Sequence, residues 1–356
     1  MNRSLCALGV MVSLIPGASA LASATFQGIG GLFGPGSRAL AVSADGTTVV
    51  GDAGGPTGVT QAVYWRPGTG MVGLGQLFDP PRYSYATGVS GDGSVIVGVA
   101  GGIQPFIWTN STGMVPMSGM SPTTSDVAGL SADGTAAVGT SLPSTPGPLQ
   151  ATRWTQAGGP QALGIHPTGA SSRGAAISAD GSTVVGWGDT GTGFQAARWR
   201  AETGFVSLRP VPGTWSQAFA VSGDGAVVTG MMDATTTFRW TEATGMVPIG
   251  PGQGNGISAD GNVIVGAAGG SQNSAFFWTP ESGMVNLKAF LLANGATGVQ
   301  GWNLSTATAV SADGRVVVGH GLNALGQVEG FYATIPAPAA WVTIGAAGLI
   351  AARRRR

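Results

Sequence analysis

The sequence predicts an all-β chain: a seven-bladed β-propeller of four-stranded antiparallel blades, closed by an N-terminal strand that completes the last blade. Three observations carry this. The phrase Ser-(Ala/Gly)-Asp-Gly occurs seven times, with its aspartates at Asp45, Asp92, Asp133, Asp180, Asp224, Asp260 and Asp313. A unit of that length, copied seven times, is the signature of a propeller or solenoid. Each unit holds about four short strand phrases, the content of one blade. Finally, a strand is missing at one end of the array and surplus at the other.

The first unit sets the plan. Ala39 to Ser43 is a strand of small residues, and Asp45-Gly46 is a tight turn in which glycine adopts positive φ without a Cβ clash. Thr48 to Gly51 is Val-rich, Ala62 to Trp65 is a third strand, and Gly70 to Leu74 is a turn with a fourth. The third-strand tryptophan recurs as Trp108, Trp154, Trp199, Trp240 and Trp278. The fourth-strand phrase recurs at Gly113, Gly204, Gly245 and Gly283, and is degenerate at Gly158 to Leu163. In the seventh unit Tyr332 stands near the tryptophan's place and no fourth strand follows. Phe26 to Leu32, before the first unit, resembles that missing phrase and supplies the outer strand of the last blade. Such closure removes two open sheet edges. Side-chain size orders the strands: the Ala-rich phrase belongs at the crowded axis and the Met-Val phrase at the rim. The tryptophans then pack between blades, each contributing about 2–3 kcal/mol of apolar burial.

The two ends differ from the body at residues 25–335. Residues 1–24 read as a signal peptide: Arg3, an apolar segment from Leu5 to Ile15, then Ala18-Ser19-Ala20 and Ala22-Ser23-Ala24 as small-x-small cleavage sites. Cys6, the one cysteine, falls in it, so the mature chain carries no thiol and no disulfide. Residues 336–356 read as a sorting or transmembrane segment: Pro336-Ala337-Pro338, an apolar run from Ala339 to Ala352, then Arg353 to Arg356. Fourteen helical residues reach about 21 Å against a ~30 Å hydrocarbon core, and the arginines hold that end in the cytoplasm.

This ending resembles the PEP-CTERM sorting signal of Gram-negative bacteria, with Ala337 in place of the usual central Glu. The resemblance implies export, a cell-surface or extracellular location, and an exosortase-like sorting protease as partner. Over residues 26 to 333 the repeats, above all Ser-Ala-Asp-Gly followed by Val-Val-Gly, resemble the HAF-repeat family of bacterial extracellular proteins. The family's His-Ala-Phe is altered here to Gln61-Ala62-Val63, Gln150-Ala151-Thr152 and Gln195-Ala196-Ala197. That resemblance implies secretion and a repeat fold but no defined activity.

Composition excludes several functions. Charged residues are only 9% of the chain while hydrophobic ones are 43%, which argues against disorder. Without Arg3 and Arg353 to Arg356, eleven basic residues face sixteen acidic ones, and no basic stripe suits nucleic acid. Membrane contact is expected only through the C-terminal segment.

No catalytic, cofactor-binding or metal-binding residue is assigned. The seven Asp-Gly aspartates sit one per blade, and Ca²⁺ needs six to eight oxygens, so they read as turn formers. His166 and His320 fall in different units, with no glutamate at a metalloprotease spacing. Glu202, Glu242 and Glu281 occupy equivalent sites a blade apart, too far to pair for glycoside hydrolysis. Gly28 to Gly34 lacks the helix that a dinucleotide loop needs. Arg153, Arg198 and Arg239 precede tryptophans in three units and read as exposed or ion-paired. The expectation is a secreted or surface propeller with a non-enzymatic interaction or structural role in an exopolysaccharide-rich envelope, with extracellular polysaccharide or surface proteins as partners. The alternative is a polysaccharide lyase or hydrolase with its site at the central channel.

Overall fold

A computed structural model of the chain describes residues 23–336, apart from 56–57, 121–124, 143–146, 210, 212 and 270–273. The expected sorting segment beyond Pro336, and all but the last two residues of the expected leader, lie outside the described residues. Among the described residues no helix is long and apolar enough to cross a membrane.

Seven four-stranded antiparallel sheets form seven blades. In blade one the strands run Ser37–Val42, Val49–Gly54, Thr60–Arg66 and Gly70–Gly73, paired in that order from the axis outward. The inner strands of blades two to six are Ser84–Val89, Asp126–Leu130, Ser172–Ile177, Ser216–Val221 and Gln253–Ile257. Blade seven has inner strand Asn303–Val310, then Val316–Leu322 and Val328–Thr334. Its fourth strand is Thr25–Gly28, paired antiparallel with the third, Thr25 opposite Thr334 and Gly28 opposite Phe331. The closure read from the sequence is therefore present, and the Ala-rich strands are innermost.

Every inner strand is interrupted at one equivalent place, for example between Ala39 and Ala41, Ala86 and Gly88, and Ala307 and Ala309. A β-bulge kinks the strand and re-aims the extra residue. Here Leu40, Thr87, Ala175, Phe219, Asn255 and Thr308 turn toward the axis. The kink also explains the glycine of Val-Val-Gly. A Cβ at Gly51 would lie 1.9 Å from the Arg38 carbonyl oxygen, and at Gly98 it would lie 2.2 Å from that of Tyr85. The same approach recurs in all seven blades. This glycine answers to backbone proximity, not to a turn.

Apolar side chains fill the gaps between blades, as expected of the tryptophans. Trp65 packs with Ile29, Val316 and Val318 between blades seven and one. Trp154 packs against Val97, Val99 and Met117 of blade two, and Trp240 against Val185 and Ala196 of blade four. The register equivalent of the tryptophan in blade seven is Ala333, facing Val317 and Phe26, and Tyr332 stands one residue earlier. Phe26 compensates for the small Ala333 by stacking on Phe331 and meeting Trp302 edge-on at 5.1 Å.

Polar latches join the same gaps. The serine opening an inner strand accepts a backbone N–H from the preceding blade: Ala62 to Ser84, Ala151 to Ser172, Ala196 to Ser216, and Gly330 to Ser37. Between blades two and three the equivalent donor would be Pro105, which has no N–H. There Ser125 pairs with Ser141 of its own blade, at 2.8 Å, and no serine latch crosses that gap among the described residues.

A helix the sequence reading did not anticipate, Leu287–Ala293, lengthens the sixth unit. Asn286 caps it by accepting from the Ala289 N–H, and Leu287 and Leu291 are buried against blade seven's core. Deleting Thr25 to Gly28 should lower the melting temperature by well over 5 °C, because it uncovers Phe331 and an entire strand edge. An unchanged melt in differential scanning calorimetry would refute the shared blade. In the hairpin of blade five, Asp233 and Ala234 both hold positive φ, at 51° and 61°. The strain on a Cβ there is about 1–2 kcal/mol, so Ala234→Gly should raise stability by about 1 kcal/mol in urea titration.

Candidate functional site

The seven inner strands run in the same direction, so the propeller has two unlike faces. At one face each chain turns through Ser-x-Asp-Gly. In blade two the Ser90 hydroxyl donates to Asp92 Oδ1 at 2.7 Å and accepts the Val95 N–H at 2.9 Å. The Ser94 N–H also donates to Asp92 Oδ1, and Gly93 takes φ 72°. The Ser90 hydroxyl and the Ser94 N–H hold the Asp92 carboxyl down at about 2. The same bonds lower Asp133, Asp180 and Asp224. At Asp45 and Asp260 burial opposes the shift, but hydrogen bonds from Ser43 and Ser258 and the next loop residues prevail. These aspartates are turn formers whose Oδ1 accepts from the repeat serine and from the loop backbone.

The turns are also wired to one another. Asp45 N–H donates to Gly91 O, Gly91 to Ala132, Ala132 to Ala179, and Ala179 to Gly223. Gly223 donates to Ala259, Ala259 to Ala312, and Ala312 back to Ala44, all at 2.7–3.3 Å. Arginines add a second tie. Arg66 donates to Gly93 O, Arg153 to Gly181 O, Arg200 to Gly225 O and Arg239 to Gly261 O, each reaching the next blade. Of the three arginines read as exposed or ion-paired, only Arg198 is ion-paired: it meets Glu242 at 2.9 Å and lies 4.9 Å over Trp240. This turn face is closed by its own hydrogen bonds.

The central channel encloses about 260 Å³. Its walls are Ala, Val, Leu, Ile and Gly with Phe219, and the polar lining residues are Thr87, Asn255 and Thr308. Thr87 donates to Val127 O, Asn255 to Ala307 O and Thr308 to Ala39 O. Among the described residues no titratable side chain lines it.

At the opposite, open face the inner-strand residue paired with the position after the Val-Val-Gly glycine carries a polar side chain in every blade. Around the ring these are Arg38, Tyr85, Asp126, Arg173, Gln217, Gln253 and Thr306. Opposite them on the second strands stand Asp52, Trp187 and His320, among others. Arg38 grips Asp52 with Nε at 3.0 Å and Nη2 at 3.1 Å. Arg173 is only 3.8 Å from Asp126 and makes no hydrogen bond among the described residues. Burial pushes the Asp126 carboxyl up. Burial, then repulsion from Arg38, lowers His320, whose Nδ1 is buried without a partner. Trp187 meets Phe219 edge-on at 5.9 Å at the channel entrance.

This face also holds most of the exposed large apolar side chains: Phe33, Tyr83, Ile103, Phe194, Val211, Leu322, Leu325 and Val328, with Leu325 81% exposed. The turn face holds none among the described residues. His166 bonds Thr168 in a loop of blade four, well away from blade seven's His320, and Glu329 holds the closing strand by accepting the Gly30 N–H. Among the described residues no three His, Cys, Asp or Glu side chains gather to hold a metal ion.

No family model matches the chain. No curated protein matches it either. Among solved structures it is similar to an oligogalacturonate lyase from Vibrio parahaemolyticus, with TM-score 0.55 and 9% identity over 89% of this chain and 98% of that one. It is similar to an oligogalacturonate lyase in complex with manganese, with TM-score 0.54 and 12% identity over 91% and 96%. A puromycin hydrolase matches with TM-score 0.55 and 16% identity over 81% of this chain. The chain spans only 50% of that hydrolase. The fold class is thereby defined: this is a seven-bladed β-propeller.

The turn carboxylates whose folded pKa is lowered contribute stability that is complete above the free value near 4 and lost as pH falls through the folded values. Stability should therefore decline between about pH 4 and pH 2. Asp92→Asn should make that decline shallower; an identical acid limb in chemical denaturation would count against the latch.

Proposed function

We propose that this chain is exported and acts at the cell surface as a non-enzymatic interaction module that binds extracellular polysaccharide through its open face. One observation carries the reading, the contrast between the two faces. The turn face is laced from blade to blade by backbone and arginine hydrogen bonds and exposes no large apolar side chain among the described residues. The open face presents exposed aromatic and aliphatic groups beside Arg173, which makes no hydrogen bond among the described residues. Sugars offer hydroxyls and apolar C–H faces, and that mixture of planar polar and apolar side chains matches both.

The leader and the PEP-CTERM-like tail support export, with an exosortase-like protease as the processing partner. The repeat's resemblance to HAF-repeat proteins supports the same location.

A second reading is a polysaccharide lyase or hydrolase working at the channel. The full-length fold likeness to oligogalacturonate lyases favours it. The lining of the channel speaks against it, since general acid–base chemistry needs a titratable group within reach of substrate.

Calorimetry of the full chain against a panel of bacterial and plant polysaccharides tests both. Saturable binding is expected for one glycan class, and it should be abolished by Phe194→Ser together with Leu325→Ser. Binding to none of them would refute the module. Release of unsaturated or reducing-end products during titration would establish the enzyme reading instead.

A further inference from the structure

The open face contains a cleft of about 320 Å³ at the seam where blade seven closes onto blade one. That volume is at the low end for small-ligand sites and suits one sugar ring with its nearest neighbours. Pro35 and Val328 wall it, and Arg38, Asp52 and Thr60 supply its polar lining. The seam itself is fixed: the Gly330 N–H donates to Ser37 Oγ at 3.1 Å, so the cleft's two sides belong to one tied unit.

The chemistry of the lining is specific. Arg38 gives Nε and Nη2 to Asp52, which leaves Nη1 without an acceptor among the described residues. The Arg38 side chain is 48% exposed while that of Asp52 is 7% exposed. A guanidinium held rigid from behind therefore offers its free N–H edge into the cleft. Asp52 retains unused lone pairs on both oxygens. Such a donor and acceptor side by side match vicinal hydroxyls. Val328, 46% exposed, and Pro35 provide an apolar wall for the C–H face of a ring.

Charge selects within the sugars. Arg38 and Asp52 cancel, and the lowered pKa of His320 nearby keeps that imidazole neutral at pH 7. A uronate carboxylate would meet no uncompensated cation here, and it would be placed beside Asp52.

We propose that the seam cleft between blades seven and one is a subsite for a neutral pyranose unit of a polysaccharide chain, held by the Arg38–Asp52 pair and the Val328 wall. This rests on the reading of the open face as a glycan-binding surface and names the ligand class and the residues.

The test titrates full-length protein with dextran, laminarin and polygalacturonate by calorimetry, using wild type, Val328→Glu and Val247→Glu. Val328 and Val247 are both exposed, so thermal melts should be unchanged, and Val247 lies on the outer rim. One neutral glucan should bind wild type and Val247→Glu alike, and Val328→Glu at least tenfold more weakly. Equal binding by all three proteins would overturn the seam site while leaving an open-face glycan site standing. Tighter binding of polygalacturonate than of either glucan would overturn the neutral-sugar assignment. No binding of any glycan by wild type would overturn both the subsite and the reading beneath it.

Discussion

At the turn face each blade donates one backbone N–H to a carbonyl of the next, and the seventh donates to the first. The circuit uses the residue before the repeated aspartate as donor in six blades and Asp45 itself in the first, so it closes only when all blades are present and evenly rotated. The bulge in each inner strand, the glycine opposite it and the small channel-lining residues all serve that crowded axis. A buried peptide group left without a partner costs about 1–3 kcal/mol. Opening the ring at any seam would orphan one donor and one acceptor there. At the seams of blades one–two, three–four and four–five an arginine tie and a serine latch brace the same junction from either side.

The two faces differ because the two ends of an inner strand do different work. At the turn end every blade must present the same geometry to its neighbour, and the sequence there is correspondingly uniform. Among the described residues no hydrogen bond runs from ring position to ring position at the open end, so Arg38, Tyr85, Asp126, Arg173, Gln217, Gln253 and Thr306 need not match. Between them the channel stays apolar, and its three polar side chains are turned onto backbone carbonyls.

That difference decides what could be read from the sequence. The blade count was legible because the Ser-Asp-Gly latch is local: all its donors and acceptors lie within six residues. The shared last blade was legible because a missing strand and a surplus strand are both visible in a repeat. The helix Leu287–Ala293 was not, since seven residues carry little periodicity and Leu287 and Leu291 owe their burial to blade seven. Tyr332 could be placed only near the tryptophan's position, because spacing alone does not fix register by one residue. The arginines before the tryptophans looked alike in sequence, yet Arg153 and Arg239 reach carbonyls of the next blade while Arg198 folds over Trp240. The open-face ring was invisible for the opposite reason. Its members come from seven repeats and span five residue types, so no pattern marks them.

Thr25 lies opposite Thr334, so both ends of the described chain leave from the turn face, on adjacent antiparallel strands. This gives the closure a mechanical direction. Force that separated the two ends would peel the first strand from the last one hydrogen bond at a time. Force applied at Thr334 alone, against a load gripped at the open face, would instead drag the last strand lengthwise between its two neighbours. All its cross-strand bonds would then resist together. A propeller held by its C-terminal side and pulled by whatever its far face grasps is loaded along its strong axis.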